Sequence, residues 1–204
     1  MSVAEKLKIT SQEYLAAERQ SETKHEFLDG ELFAMAGGTR RHSRIAVNVA
    51  SALNQRLAGK PCQVFNSDMR LKIEATGLYA YPDVQVSCGR LRFEEAEEDT
   101  LLNPKIIVEV LSDSTAAWDR GGKFWHYRHL DSLTDYVLVS QDAWQVEHYT
   151  RQSNGQWLFE TLEGAKAVLS LPSIKARVPL LEVYSNTGLK PGAPAPPAKT
   201  TTKR

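Results

Sequence analysis

Apolar residues recur at helical spacing between residues 40 and 58. Ile45, Val49, Leu53 and Leu57 stand four apart, with Ala46 and Ala50 beside them. That stripe predicts an amphipathic helix. Arg40, Arg41, His42 and Arg44 crowd its first turn, where positive charge opposes the helix dipole. The cost is local and has no obvious structural return. Gly59-Lys60-Pro61 ends the helix. Elsewhere the period shortens. QVFNSDMRLKI (63–73) roughly alternates and predicts a strand, and YPDVQVSC (81–88) predicts a second. KIIVEVL (105–111) is nearly all apolar and β-branched, the pattern of a strand buried on both faces. TDYVLVS (134–140) is another strand.

Shorter signals fill the gaps. Thr10 or Ser11 caps a short helix over 10–18, and KHEFLDGELFAMAGG forms a hairpin around Asp29-Gly30. Ser114 caps a helix running to about 129. WQVEHYT and WLFETLE form an antiparallel pair around Ser153-Asn154-Gly155, and SIKARVPLLEVY closes the domain. Residues 89–104, with Glu94, Glu95, Glu97, Glu98 and Asp99, are expected to be a solvated loop or short helix. The order implies an α/β domain over residues 1–185 with a mixed central sheet, flanking helices and hairpin extensions. Residues 186–204 are rich in Pro, Ala, Thr and Lys and are expected to be a disordered tail.

Composition narrows the function. A chain of 204 residues suits one such domain, and Lys+Arg balance Asp+Glu at 25 each. Bulk charge therefore does not draw the chain to nucleic acid, which counts against a sequence-blind packaging protein. Phosphate contact would need a local patch. Cys62 and Cys88 lie far apart and in no ligand spacing, so neither a disulfide framework nor a Cys-based zinc site is expected. The opening MSVAEKLKITSQEYLAAE is no signal peptide, and no apolar run reaches membrane-spanning length. A cytoplasmic location without a membrane partner follows as the expectation.

Glu109 is the most unusual residue. It interrupts the otherwise apolar IIVEVL, where an unpaired carboxylate is costly; it must be neutral, paired or bound to a metal. A structural ion pair is the competing reading. Asp83 follows Pro82 in a short strand that Pro82 deprives of one ladder donor. A Pro-Asp strand, a variable loop and an apolar strand carrying Glu together resemble the PD-(D/E)xK nucleases. Two carboxylates from neighbouring strands make a hard oxygen site suited to Mg²⁺, able to activate water beside a phosphate. The motif usually has Lys two residues after the Glu. Here that position is Leu111. Lys123 reads by itself as the helical partner of Asp119, although Gly121 and Gly122 argue for a close backbone approach.

The resemblance extends further. HEFLDGELFAMAGGT, HSRIAVNVA, YPDV, IIVEVLSDST, DRGGKFWHYR and DYVLV occur in the order seen in the Uma-two family of restriction-endonuclease-like proteins, a PD-(D/E)xK branch. The match covers about residues 10–185. In that family the motif lysine stands on the following helix, which implies Lys123. The resemblance implies a restriction-endonuclease-like fold and hydrolysis of phosphodiester bonds in DNA. Mg²⁺ or Mn²⁺ would sit on Asp83 and Glu109, helped by the Val110 carbonyl, with Lys123 orienting water. It also implies an accessory carboxylate at Glu26, which otherwise reads as an exposed hairpin acid. His42 is an accessory candidate for phosphate contact or proton transfer, against a solvated helix-start histidine. Arg40, Arg41 and Arg44 could form the phosphate patch, against a solvated face. Trp118, Trp125 and Tyr127 could stack on bases, but core packing is the simpler expectation. Nucleases that cut both strands often pair, so a homodimer is a further expectation. The alternative function is an inactive nucleic-acid-binding or protein-interaction module on the same fold.

Overall fold

A computed structural model describes residues 8–95 and 97–192. The stretch to residue 7, residue 96 and the end of the expected tail from 193 lie outside the described residues. A six-stranded sheet forms the centre, built from β3 (Cys62–Asn66), β6 (Val84–Cys88), β8 (Ile106–Leu111), β9 (Asp135–Ser140), β10 (Gln145–Arg151) and β11 (Trp157–Glu163). Its order is β11-β10-β9-β8-β6-β3. Only the β8–β9 pair is parallel. Its crossover carries a helical segment of three parts: α3 (Ala116–Trp118), a π-helical turn (Asp119–Lys123) and α4 (Phe124–Tyr127).

Side chains alternate along β8. Ile106, Val108 and Val110 meet α2 (Arg40–Leu57), whose Ile45, Val49, Leu53 and Leu57 are all buried. Each such side chain contributes roughly 1.5–3 kcal/mol of burial, and Leu53→Ala would cost about 2–5 kcal/mol. Ile107 and Leu111 face the other way, into a second core with Tyr127, Leu130, Tyr136 and Leu138. Glu109 shares that second face, by its place between them.

A second sheet covers this face. It comprises β1 (His25–Leu28), β2 (Glu31–Ala34), β4 (Arg70–Ile73), β5 (Leu78–Ala80) and β7 (Thr100–Leu101), in the order β2-β1-β5-β4-β7. Asp29 and Gly30 turn the β1–β2 hairpin with φ 51° and 83°, the left-handed pair that a tight two-residue hairpin requires. α1 (Ser11–Glu18) is capped by Thr10, whose side chain accepts from Glu13 N while Glu13 reaches back to Thr10 N. The chain closes with β12 (Val168–Leu171), β13 (Ala176–Pro179) and α5 (Leu180–Val183).

The structure corrects several expectations. The strand at 63–73 is two strands in two sheets. Asn66 Oδ1 accepts from Asp68 N at 3.1 Å, a local turn that ends β3. The strand expected at 81–88 begins only at Val84, because Pro82 cannot continue a ladder. Ser112, not Ser114, takes the Thr115 amide at the start of the helical segment, at 3.3 Å. The acidic stretch is not simply solvated. Buried Arg70 lies 2.9 Å from Asp99, Arg19 contacts Glu95 and Asp99, and Lys72 pairs with Glu94. A buried guanidinium needs such a partner. Cys62 and Cys88 are disulfide-bonded. They stand directly opposite in the β3–β6 register, a relation that spacing does not reveal. The chain also stays packed beyond 185: Thr187 is buried, and the Leu189 carbonyl accepts from Trp144 Nε1 at 3.2 Å. Among the described residues no helix is long and apolar enough to cross a membrane.

Candidate active site

The β6–β8 ladder stops at Val84–Val108. Pro82 stands where the next residues of that neighbour would pair, and it has no N–H to give. The Asp83 side chain fills the gap: its Oδ2 accepts from Val110 N at 2.7 Å. In return, Asp83 N donates to Glu109 Oε2 at 3.3 Å. The fork in the sheet thus brings the two carboxylates together. Lys123 Nζ donates to Glu109 Oε1 at 3.1 Å, and Tyr127 Oη donates to the same oxygen at 2.9 Å.

Lys123 serves more than one acid. Its Nζ lies 3.0 Å from Glu26 Oε1 on β1 and 3.5 Å from Asp119 Oδ1. It reaches them from the π-helical turn, a wide turn frequent at functional sites. On the opposite flank, His42 Nε2 lies 3.3 Å from Asp83 Oδ2. Thr39 caps α2 by accepting from His42 N at 3.1 Å. Gly38 lets the chain pass over the imidazole: a Cβ there would stand 2.8 Å from His42 Nδ1.

Asp83, Glu109, Lys123, Glu26 and His42 therefore form one cluster. The arginines do not join it as a group. Arg41 is tied to the Gln141 carbonyl at 3.1 Å and to Asp142 at 3.2 Å. Arg40 and Arg44 are exposed. Tyr127 is buried as expected, but Trp118 and Trp125 are exposed, a correction to their expected core packing. Two members went unassigned in the sequence. Asp119 reads from sequence only as a helical partner for Lys123, and Tyr127 as a core residue or a ring that stacks on bases. Their spacing four before and four after Lys123 is the signal that places all three on one helix face.

A family model described as "Putative restriction endonuclease", Uma2, matches residues 11–180. The chain belongs to the Uma2 family. It is 36% identical over 175 residues to the uncharacterized protein sll1609 of Synechocystis, covering 86% of this chain and 99% of that one. It is 39% identical over 151 residues to slr1290 of the same organism, covering 74% and 78%. It shares its fold with the crystal structure of a "putative nuclease belonging to DUF820" from Anabaena variabilis: the TM-score is 0.66 at 17% identity, over 81% of this chain and 92% of that one.

The electrostatics of this Uma2 cluster are unbalanced. Four carboxyl groups (Glu26, Asp83, Glu109, Asp119) face one ammonium (Lys123) and one imidazole (His42). Burial drives the Glu109 carboxyl upward, Lys123 pulls it down, and Asp119, Asp83 and Glu26 raise it again; it is pushed up to about 8. Asp119 is raised chiefly by burial, against Lys123. Burial disfavours the Lys123 ammonium, but Glu109, Glu26 and Asp119 outweigh it and hold the group well above its usual value. For His42, burial is likewise outweighed by Asp83 and the Val110 carbonyl, and the imidazole is raised.

Among the described residues no three His, Cys, Asp or Glu side chains form a ready-made metal cage. The donor chemistry nonetheless suits a hard divalent cation: carboxylate oxygens and one strand carbonyl, with no sulfur. Glu26 Oε1 is buried and makes no hydrogen bond, with only the Lys123 charge beside it. An excess of buried carboxyl oxygen of this kind fits a group that would take up the surplus negative charge.

Proposed function

We propose that the chain is a metal-dependent nuclease that hydrolyses phosphodiester bonds in DNA. The observation that supports this reading is the joint contact of Lys123 with Glu109 and of Asp83 with the backbone around Glu109. It provides two acids from forked strands and one ammonium from the crossing helix. Asp83 and Glu109, with the Val110 carbonyl, would hold Mg²⁺ or Mn²⁺. Bound there, such an ion supplies Lewis-acid polarisation of a phosphoryl oxygen and of a water molecule.

The remaining work belongs to the side chains. The Lys123 ammonium, buried and held charged by its acids, orients the attacking water and offsets charge developing on the phosphate. Charge fixed in advance in a low-dielectric pocket is the main resource in phosphoryl chemistry. Tyr127 fixes the Glu109 carboxylate by its hydrogen bond. Glu26 holds Lys123 on its third side. His42 stands at the outer flank of Asp83, where a ring N–H can meet a phosphate oxygen. The exposed Arg40 and Arg44 add positive charge on that side.

Cleavage assays on single-stranded, duplex and supercoiled DNA with Mg²⁺, Mn²⁺ or EDTA test the reading. The parent should cut with a metal and not with EDTA. Glu109→Gln should lower the rate by a factor on the order of 10² or more and abolish metal binding by calorimetry. Cutting by Glu109→Gln at the parent rate overturns the assignment.

A further inference from the structure

Two large aromatic rings on the elements that carry the cluster face solvent. Phe33 on β2 is 49% exposed. It lies directly opposite Glu26 in the β1–β2 register. Opposed residues of an antiparallel pair point to the same face, so Phe33 projects on the side where Glu26 reaches Lys123. Trp118 is 39% exposed. It immediately precedes Asp119, whose carboxylate contacts the same Lys123 Nζ. Phe33 is thus the cross-strand neighbour of Glu26, and Trp118 adjoins Asp119 along the helix with its ring on the neighbouring face, over Gly122.

Trp118 is also seated. A Cβ at residue 122 would fall 1.8 Å from Trp118 Cζ3, so the indole lies over Gly122 and depends on its bare backbone. Its ring centroid is 5.9 Å from that of His126. Glycine in a helix costs roughly 1 kcal/mol relative to Ala. That cost is met here to hold a tryptophan still while leaving much of it in water.

We propose that Phe33 and Trp118 form a base-stacking rim to the pocket, and that the substrate is a DNA strand with unpaired bases. The proposal rests on the nuclease reading of the cluster. A duplex hides its base faces within its own stack, whereas an unpaired strand offers a π-face at every nucleotide. Duplex binding draws mainly on phosphate contacts by Lys and Arg. This chain has no net charge, and Arg41 is already paired with Asp142. Stacking supplies the affinity that a broad basic surface would otherwise give.

Fluorescence anisotropy in EDTA, which separates binding from turnover, tests the rim. The probes are a labelled oligothymidylate and a labelled blunt duplex. Trp118→Ala and Phe33→Ala should each weaken oligothymidylate binding by about 5- to 100-fold and leave duplex binding unchanged. Trp118→Phe should recover most of the loss. Leu158→Ala, equally apolar and exposed on the edge strand β11, should change nothing. Unchanged oligothymidylate affinity in both alanine variants, or equal losses on both DNAs, overturns the rim. A parent that cuts DNA with a metal while these variants bind normally loses the rim alone. A parent that binds oligothymidylate through Trp118 and cuts nothing loses the nuclease reading and keeps the rim.

Discussion

Lys123 Nζ lies 3.1 Å from Glu109 Oε1, although 14 residues separate them in the chain. The contact joins the crossing helix to the central strand and places a buried ammonium where Leu111 cannot supply one. The same nitrogen also meets Glu26 and Asp119. One largely buried cation thus holds three acids, and removing it should have consequences for stability as well as chemistry.

Lys123→Met keeps the stem and removes the charge. It should lower DNA cleavage by a factor on the order of 10² or more. It should also cost about 3 kcal/mol of stability near pH 8, because it leaves buried acids unpaired. Adding Glu109→Gln should return part of that loss. Urea denaturation of both singles and the double variant measures the coupling; strictly additive effects would show that the contact carries no energy.

The raised Glu109 carboxyl makes stability pH-dependent. Its folded value, about 8, lies above its ordinary value of 4.5, so between these limits the folded state binds more protons than the unfolded one. Stability from this group should then fall as pH rises from 5 to 8, by at most about 1.4 kcal/mol per pH unit. Glu109→Gln should flatten that slope. Metal binding should release protons and tighten over the same interval, which calorimetry in buffers of different ionisation enthalpy reads directly.

The Cys62–Cys88 bond closes a loop with a sequence separation of 26. In the chain-entropy account such a closure contributes about 3 kcal/mol. Reduction, or the Cys62→Ser/Cys88→Ser variant, should lower the denaturation midpoint accordingly. Cys88 ends β6 at the far end from Asp83, so metal affinity should persist in the reduced protein. A loss of metal binding on reduction would show that the bond holds the site.

Deleting the chain from Asn186 onward removes buried Thr187 and the Leu189 carbonyl that accepts from Trp144. Leu189 also packs against the core of α2 and the central sheet. A loss of about 1 kcal/mol, read as a fall in Tm of about 2–4 °C, is expected by calorimetry. No shift would mean that these contacts contribute nothing.

The elements with strong local signals were legible in the sequence. The four-residue stripe of α2, the Asp29-Gly30 turn, and the β-branched run of β8 each follow from near-neighbour chemistry. So did the oddity of Glu109, since burial of an acid is visible wherever a strand has no polar face. The resemblance supplied Lys123 in place of Leu111, and it singled out Asp83 by pairing the Pro82-Asp83 strand with the Glu109 strand. What remained hidden was relational. Strand register decided that Cys62 meets Cys88 and that Phe33 stands opposite Glu26. Packing between two sheets and a helix gathered Glu26, Asp119 and Tyr127 on the same buried charge. Trp118 and Trp125 read as core because large apolar rings are usually buried, and only the tertiary structure showed that both keep much of their surface exposed. Local free energies set the elements; burial and pairing among distant residues, which no window of sequence contains, set the site.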